Sequence, residues 1–170
     1  MKKLLSLALL LLLSMSNLGQ TPPKSWTRMV SQEGQFIVLF PKPPKRTIGR
    51  TEFFTMYTFE TRLKQETFGV SYFDAPMPVD DPEIREQIYE LGKKHHATGQ
   101  LVETKNISLG KYSGKEYRYR LKTPKGAHYI VKVYLVGQRV YQLDYYTANK
   151  ASDFTEADKF FASFELANGA

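Results

Sequence analysis

Five apolar residues in succession, Phe36-Ile37-Val38-Leu39-Phe40, bounded by Gln32-Glu33-Gly34-Gln35 and by Pro41, form the clearest strand signal in the chain. The run from Trp26 to Ser31 on the other side of the turn supplies its hairpin partner, and Trp26, the only tryptophan, is expected to pack. Pro41, Pro43 and Pro44 with Lys42, Lys45 and Arg46 read as a stiff basic loop, because proline fixes φ and brings no amide proton to a ladder. Strands are expected again over 52–62 and 67–73. In the first, Phe53, Tyr57 and Phe59 alternate with polar residues, while Phe54 and Met56 give the other face apolar character too. In the second, Phe68, Val70 and Tyr72 share one side.

The period then changes. Pro76, Pro78 and Pro82 punctuate a loop that carries Asp80 and Asp81. Asp81-Pro82-Glu83 is a helix start: a capping oxygen, a proline at the first position and a carboxylate at the positive dipole end. The spacing predicts a helix to Thr98, with Ile84, Ile88, Leu91 and His95 as its apolar stripe and Gly99 as its C-terminal glycine. Gly92 beside that stripe costs a helix about 1 kcal/mol relative to alanine, which points to close approach of the helix backbone to a sheet. Four further strands, 101–109, 115–122, 128–136 and 139–147, follow as an antiparallel meander across turns rich in glycine. Ala157, Phe160, Phe161 and Phe164 mark a short helix laid on the sheet, capped by Asp153 with Glu156 or by Thr155 with Asp158.

Ahead of this pattern stands a different one. Lys2 and Lys3 precede the apolar run Leu4 to Leu13, too short for a bilayer span, and Ser14-Met15-Ser16 offers small residues for signal peptidase, with Gly19 as a second cleavage point. Residues 1–19 are therefore expected to be a cleaved signal peptide and 20–170 one domain, periplasmic or secreted; an uncleaved membrane anchor is the alternative. The 170-residue chain has 24 Lys and Arg against 17 Asp and Glu, so losing Lys2 and Lys3 leaves a charge of about +5 rather than +7. Mild basicity outside the cytoplasm disfavours nucleic acid and suits anionic glycans, lipid head groups, phosphate or acidic proteins. The chain has no cysteine. That removes disulfides, thiol nucleophiles, thiolate metal sites and a lipid-modified N-terminal cysteine.

Five segments carry a resemblance: GQFIVLFPKPPK at 34–45, FGVSYFDAP at 68–76, ISLGKYSGKEYR at 107–118, YLVGQRVYQL at 134–143 and FFASFEL at 160–166. In this order they resemble the PsbP-like fold, named from an extrinsic subunit of photosystem II and shared by a nuclear import factor that binds the GTPase Ran. They resemble in particular a poorly characterised group of exported bacterial proteins. The resemblance implies an α+β architecture, an antiparallel β-sheet with helices packed on its faces, and a binding or assembly role. It carries over no metal or partner-contact residues.

The residues themselves offer little chemistry. His95 and His96 are helix neighbours about 100° apart and do not face one ion together, and His128 has no partner at ligand spacing. No Gly-x-Ser-x-Gly elbow is present, and Asp80 with Asp81 or Glu86 with Glu90 read as loop and solvated helix face rather than acid-base pairs. The turn glycines 110, 114, 126 and 137 lack a phosphate-cradling spacing. The expectation is a non-catalytic exported binding module without cofactor or metal, for a protein or an acidic ligand; an exported enzyme or a carrier of a small apolar ligand are the alternatives. Its candidate binding face lies opposite Tyr117, Tyr119 and Leu121, where Glu116, Arg118, Arg120 and Lys122 form a row. Lys132 and Tyr134, then Gln142, Asp144 and Tyr146, are expected to extend it. On the competing reading these charges only pair across strands, as in Arg120 with Asp144.

Overall fold

The structure, a computed structural model, describes residues 25–77, 79, 81–94, 99–148 and 153–167. The expected signal peptide, Asp80 and the His95-His96 pair lie outside the described residues.

Alternation along the later strands builds one seven-stranded antiparallel sheet. Its strands are β3 (Lys45–Arg50), β4 (Thr55–Arg62), β5 (Glu66–Asp74), β6 (Gly99–Leu109), β7 (Tyr112–Leu121), β8 (His128–Val136) and β9 (Arg139–Thr147), in the order β3-β4-β5-β9-β8-β7-β6. The four-strand meander is therefore present, and β5 closes against its last strand. A second sheet holds the hairpin β1 (Thr27–Ser31) and β2 (Phe36–Phe40) with a two-residue strand, β10 (Glu165–Leu166), in the order β1-β2-β10. Helix α1 (Pro82–Lys94) covers one face of the large sheet. The small sheet and α2 (Thr155–Ala162) cover the other.

Phe36 is the centre of the contact between the sheets. It has no exposed surface, and its ring meets those of Phe59, Tyr72, Tyr141 and Phe164 at centroid distances of 5.9, 6.0, 6.1 and 5.5 Å. Val38 and Phe40 continue the buried side of β2, and Phe40 reaches Phe160 of α2 at 5.4 Å. Polar contacts fix the same junction. Tyr141 donates its hydroxyl to the Gly34 carbonyl at 2.7 Å, Arg139 donates to the Glu33 carbonyl at 2.9 Å, and Arg139 holds Asp74 through two nitrogens at 2.7 and 2.8 Å.

On the other face, α1 starts as its sequence indicates. The Asp81 Oδ1 accepts from the amides of Glu83 and Ile84 at 2.7 and 3.3 Å, filling the first free donors of the helix. Tyr89 and Gly92 are its buried positions, and a Cβ on Gly92 would stand 3.2 Å from the Val133 side chain, so the close approach expected of this glycine is present. The apolar stripe is rotated from the expected one: Leu91 is exposed, and Tyr89 packs instead with Tyr117, Tyr119, Val131 and Val133. Tyrosine can take that central place because its hydroxyl reaches out to the Ser113 Oγ at 3.5 Å, while the sheet hydroxyls of Tyr117 and Tyr119 find acceptors on the helix backbone, at the Tyr89 and Lys93 carbonyls.

Three local expectations need correction. The basic loop after Pro44 is a strand: Lys45–Arg50 pairs with β4 at the sheet edge, where an edge position asks little burial of its residues. Residues 112–114, read as turn, extend β7, because the β6–β7 turn needs only Gly110 and Lys111. The cap of α2 is Phe154 without a side-chain cap; Asp153 accepts instead from the amide and hydroxyl of Thr155 at 3.0 and 2.6 Å.

Because Phe36 touches both sheets and the segment after α2, Phe36→Ala is expected to cost about 3–5 kcal/mol. Equilibrium denaturation of parent and variant checks this, and a cost below about 1 kcal/mol would show that the junction does not depend on it.

Candidate functional site

Pairing decides which charges share a surface. Glu116 stands opposite Lys132, Arg118 opposite Ile130 and Arg120 opposite His128, while Gly114 stands opposite Tyr134. All of these side chains therefore lie on the α2 face. Asp144 does not. It is the partner of Val131, so it lies with Gln142 and Tyr146 on the α1 face, where its Oδ1 accepts the Tyr129 hydroxyl at 2.7 Å. The expected extension of the basic face through Gln142, Asp144 and Tyr146 is thus corrected, as is pairing of Arg120 with Asp144, since β8 separates their strands.

The remaining residues divide into a buried half and an open half. Tyr134 is buried and lies parallel to the Phe164 ring at 6.3 Å; burial first, and the Glu116 charge second, push its hydroxyl pKa up to about 12. Lys132 passes beneath α2, its Nζ 4.6 Å from the Phe161 ring centre and 3.2 Å from Glu116. Glu116 is 5% exposed and is held by two cations, Lys132 and the Nε of Arg118 at 2.6 Å. Burial pushes its carboxyl upward, but the Arg118 hydrogen bond and the Lys132 charge outweigh that, so it titrates below its ordinary value.

Beyond Glu116 the surface opens into a groove of about 430 Å³. Arg118 and Arg120 of β7, His128 and Ile130 of β8, Val102 and Glu103 of β6, and Phe154 at the start of α2 line it. Phe154 is the roof: the Arg118 guanidinium lies 5.6 Å from its ring centre and the His128 ring meets it edge-on at 5.3 Å. Arg118 is already engaged, by Glu116 and by Glu103 at 3.6 Å, whereas Arg120 is exposed and makes no ion pair among the described residues. His128 is held below its ordinary pKa by burial and then by the Arg120 charge, so it is mostly neutral at pH 7. Glu103 is matched by Lys105 at 3.0 Å as well as by Arg118, which suits it to holding the arginine rather than to abstracting a proton. Sequence reasoning missed His128, Phe154, Val102 and Glu103. His128 is placed by the register of β8 against β7, Phe154 by the chain's return across Arg118 and His128, and Val102 and Glu103 by a bulge in β6.

Glu116 has a pH signature. A carboxyl depressed in the folded state stabilises above its unfolded pKa, and that stability disappears as pH falls through the folded value. Glu116→Gln is expected to cost about 1–3 kcal/mol at pH 7, with the gap between parent and variant closing in acid. Denaturation curves at pH 7 and pH 3 measure it, and a gap independent of pH would contradict the assignment.

No known protein-family pattern matches the chain, and no curated protein matches it in sequence. Among the described residues no helix is long and apolar enough to cross a membrane, and no group of three or more His, Asp or Glu is placed to hold a metal ion. Solved structures do match. The solution structure of cyanobacterial PsbP (CyanoP) from Synechocystis sp. PCC 6803 aligns with 89% of this chain and 98% of its own, at 14% identity and a TM-score of 0.59. A crystal structure from Bacteroides thetaiotaomicron VPI-5482 aligns with 82% of this chain and 47% of its own, at 15% identity and a TM-score of 0.42, an overlap too low to bear on the fold. The antiparallel sheet with helices on its faces is a PsbP-like α+β fold, as the resemblance of the strand and turn segments implies.

Proposed function

We propose that this chain is an exported, non-catalytic binding module that holds an anionic group of a protein or other acidic ligand in the groove beneath Phe154. The observation that carries the reading is the convergence of Arg118, Arg120 and His128 under one aromatic roof, with Arg120 free of any ion pair among the described residues. An arginine pre-set by Glu116 and Glu103 is oriented before a ligand arrives, and one without a carboxylate partner has charge to spend on it. Lys132 and Tyr134 support this site from below α2 rather than touching the ligand. Asp144, on the other face, has no part in it. Export rests on the N-terminal pattern of Lys2, Lys3 and the Leu4 to Leu13 run.

The two arginines separate binding from folding. Arg120→Gln is expected to leave the melting temperature nearly unchanged, since exposed charges contribute about 0–1 kcal/mol, and to weaken salt-sensitive retention on an anionic resin several-fold. Arg118→Gln is expected to lower both, because it also strips a partner from buried Glu116. Retention of the parent is expected to rise as pH falls below 6.5, when His128 takes a proton beside Arg120, Arg118 and Glu103, and His128→Gln to flatten that rise. Unaltered retention by Arg120→Gln would end the groove reading.

Export is tested separately by the N-terminal mass of the exported form, expected to begin after Ser16 or Gly19. An intact chain from Met1 in the membrane fraction would overturn it.

A further inference from the structure

The groove does not stand alone: it opens onto the free edge of the large sheet. β6 is the last strand in the order and is 11 residues long, most of them exposed and none buried, and no strand pairs with its outer edge among the described residues. Such an edge presents a row of free backbone donors and acceptors, a template for one more strand. Resting on the groove reading, we propose that the ligand is an acidic segment of a partner protein, bound in extended form as an eighth strand along β6, with one carboxylate turned into the groove.

Three observations fit that occupant. The first is the β6 bulge. Leu101 pairs with Tyr119 and Glu103 with Arg118, so Val102 is an extra residue that interrupts the ladder at the mouth of the groove. From Glu103 to Leu109 the register is unbroken, which gives an added strand a straight run. At the bulge the local twist increases and the added chain leaves the edge beside Arg118 and Arg120. The second is distance. An added strand lies one strand spacing beyond β6 and two, about 10 Å, from β7, a gap that an arginine and a glutamate side chain close from opposite sides. The third is charge. Arg118, Arg120, Lys132 and Lys105 outnumber the carboxylates among them, Glu103 and Glu116, so the region keeps positive charge that an acidic segment neutralises. Leu101 and Val102, both exposed, add apolar contact for a flanking side chain. The opposite edge, β3, offers a shorter ladder of six residues.

The test starts from a phage-displayed random decapeptide library panned on the full 170-residue chain. The strongest enriched peptide is then synthesised in three forms: unmodified, and N-methylated on odd or on even residues. The expected result is an acidic peptide whose affinity falls about tenfold or more with Arg120→Gln and with one N-methylated form but not the other, because only alternate amides of an added strand face β6. Hydrogen exchange of β6 amides is expected to slow on binding. If both N-methylated forms bind as well as the parent peptide while Arg120→Gln abolishes binding, strand addition is overturned and the groove reading stands. If Arg120→Gln changes nothing, the groove reading falls as well. Enrichment of no acidic sequence overturns the acidic partner.

Discussion

The contact that the rest of the structure depends on is the one Phe36 makes. Its ring is enclosed by aromatics from both layers, and Phe164 reaches it from the segment that follows α2. A chain without disulfides has to fix its layers by packing, and edge-to-face and tilted aromatic pairs give such packing preferred geometries in addition to burial. The hydrogen bonds of Tyr141 and Arg139 to the carbonyls of Gly34 and Glu33 tie the hairpin turn to the large sheet at the same place. Shape fills the junction and polar groups set its register.

The groove is a consequence of that junction. α2 is held through Ala157, Phe160 and Phe161, which are buried, and Phe154, just before its first turn, lies against Arg118 of β7 and His128 of β8. Phe154 therefore arrives as a roof over polar strand residues instead of as core. Under the body of α2 the same row of charges is sealed: Glu116 is buried with Lys132 and Arg118 as counterions and Tyr134 lies beside Phe164. Where the cover ends, Arg120 and His128 are left to face outward. One row of residues thus serves stability at one end and exposure at the other, and the boundary between them is the end of a helix.

The likeness to cyanobacterial PsbP extends over 89% of this chain and 98% of the other at 14% identity, so the fold is shared while few side chains are. The groove is built from side chains, by Arg118, Arg120, His128 and Phe154, and from a bulge in an edge strand. Fold and site are therefore separate properties here.

Much of the fold was legible in the sequence because it is local. An unbroken apolar run located β2, alternation located β5, strand runs between turns located β8 and β9, the Asp81-Pro82 start gave α1, and the spacing of Ala157, Phe160, Phe161 and Phe164 gave α2. Period two also put Arg118 and Arg120 on one side of β7. The side occupied by Asp144 was legible in principle: a two-residue turn at Gly137-Gln138 pairs Val136 with Arg139, and counting back from there sets Asp144 against Val131. β3 was hidden because an edge strand exposed on every residue carries no burial pattern, and three prolines stood just before it. The rotated stripe of α1 was hidden because Tyr89 is amphipathic and its suitability as a core residue depends on a partner for its hydroxyl, Ser113, that the sheet brings beside it. Which charges of β7 are buried and which open into a groove was decided only by the tertiary structure. Sequence spacing sets the face a side chain takes, but the reach of α2 across that face is set by the packing of Phe160 and Phe164 against Phe36, Phe40 and Phe68, all far away in the sequence.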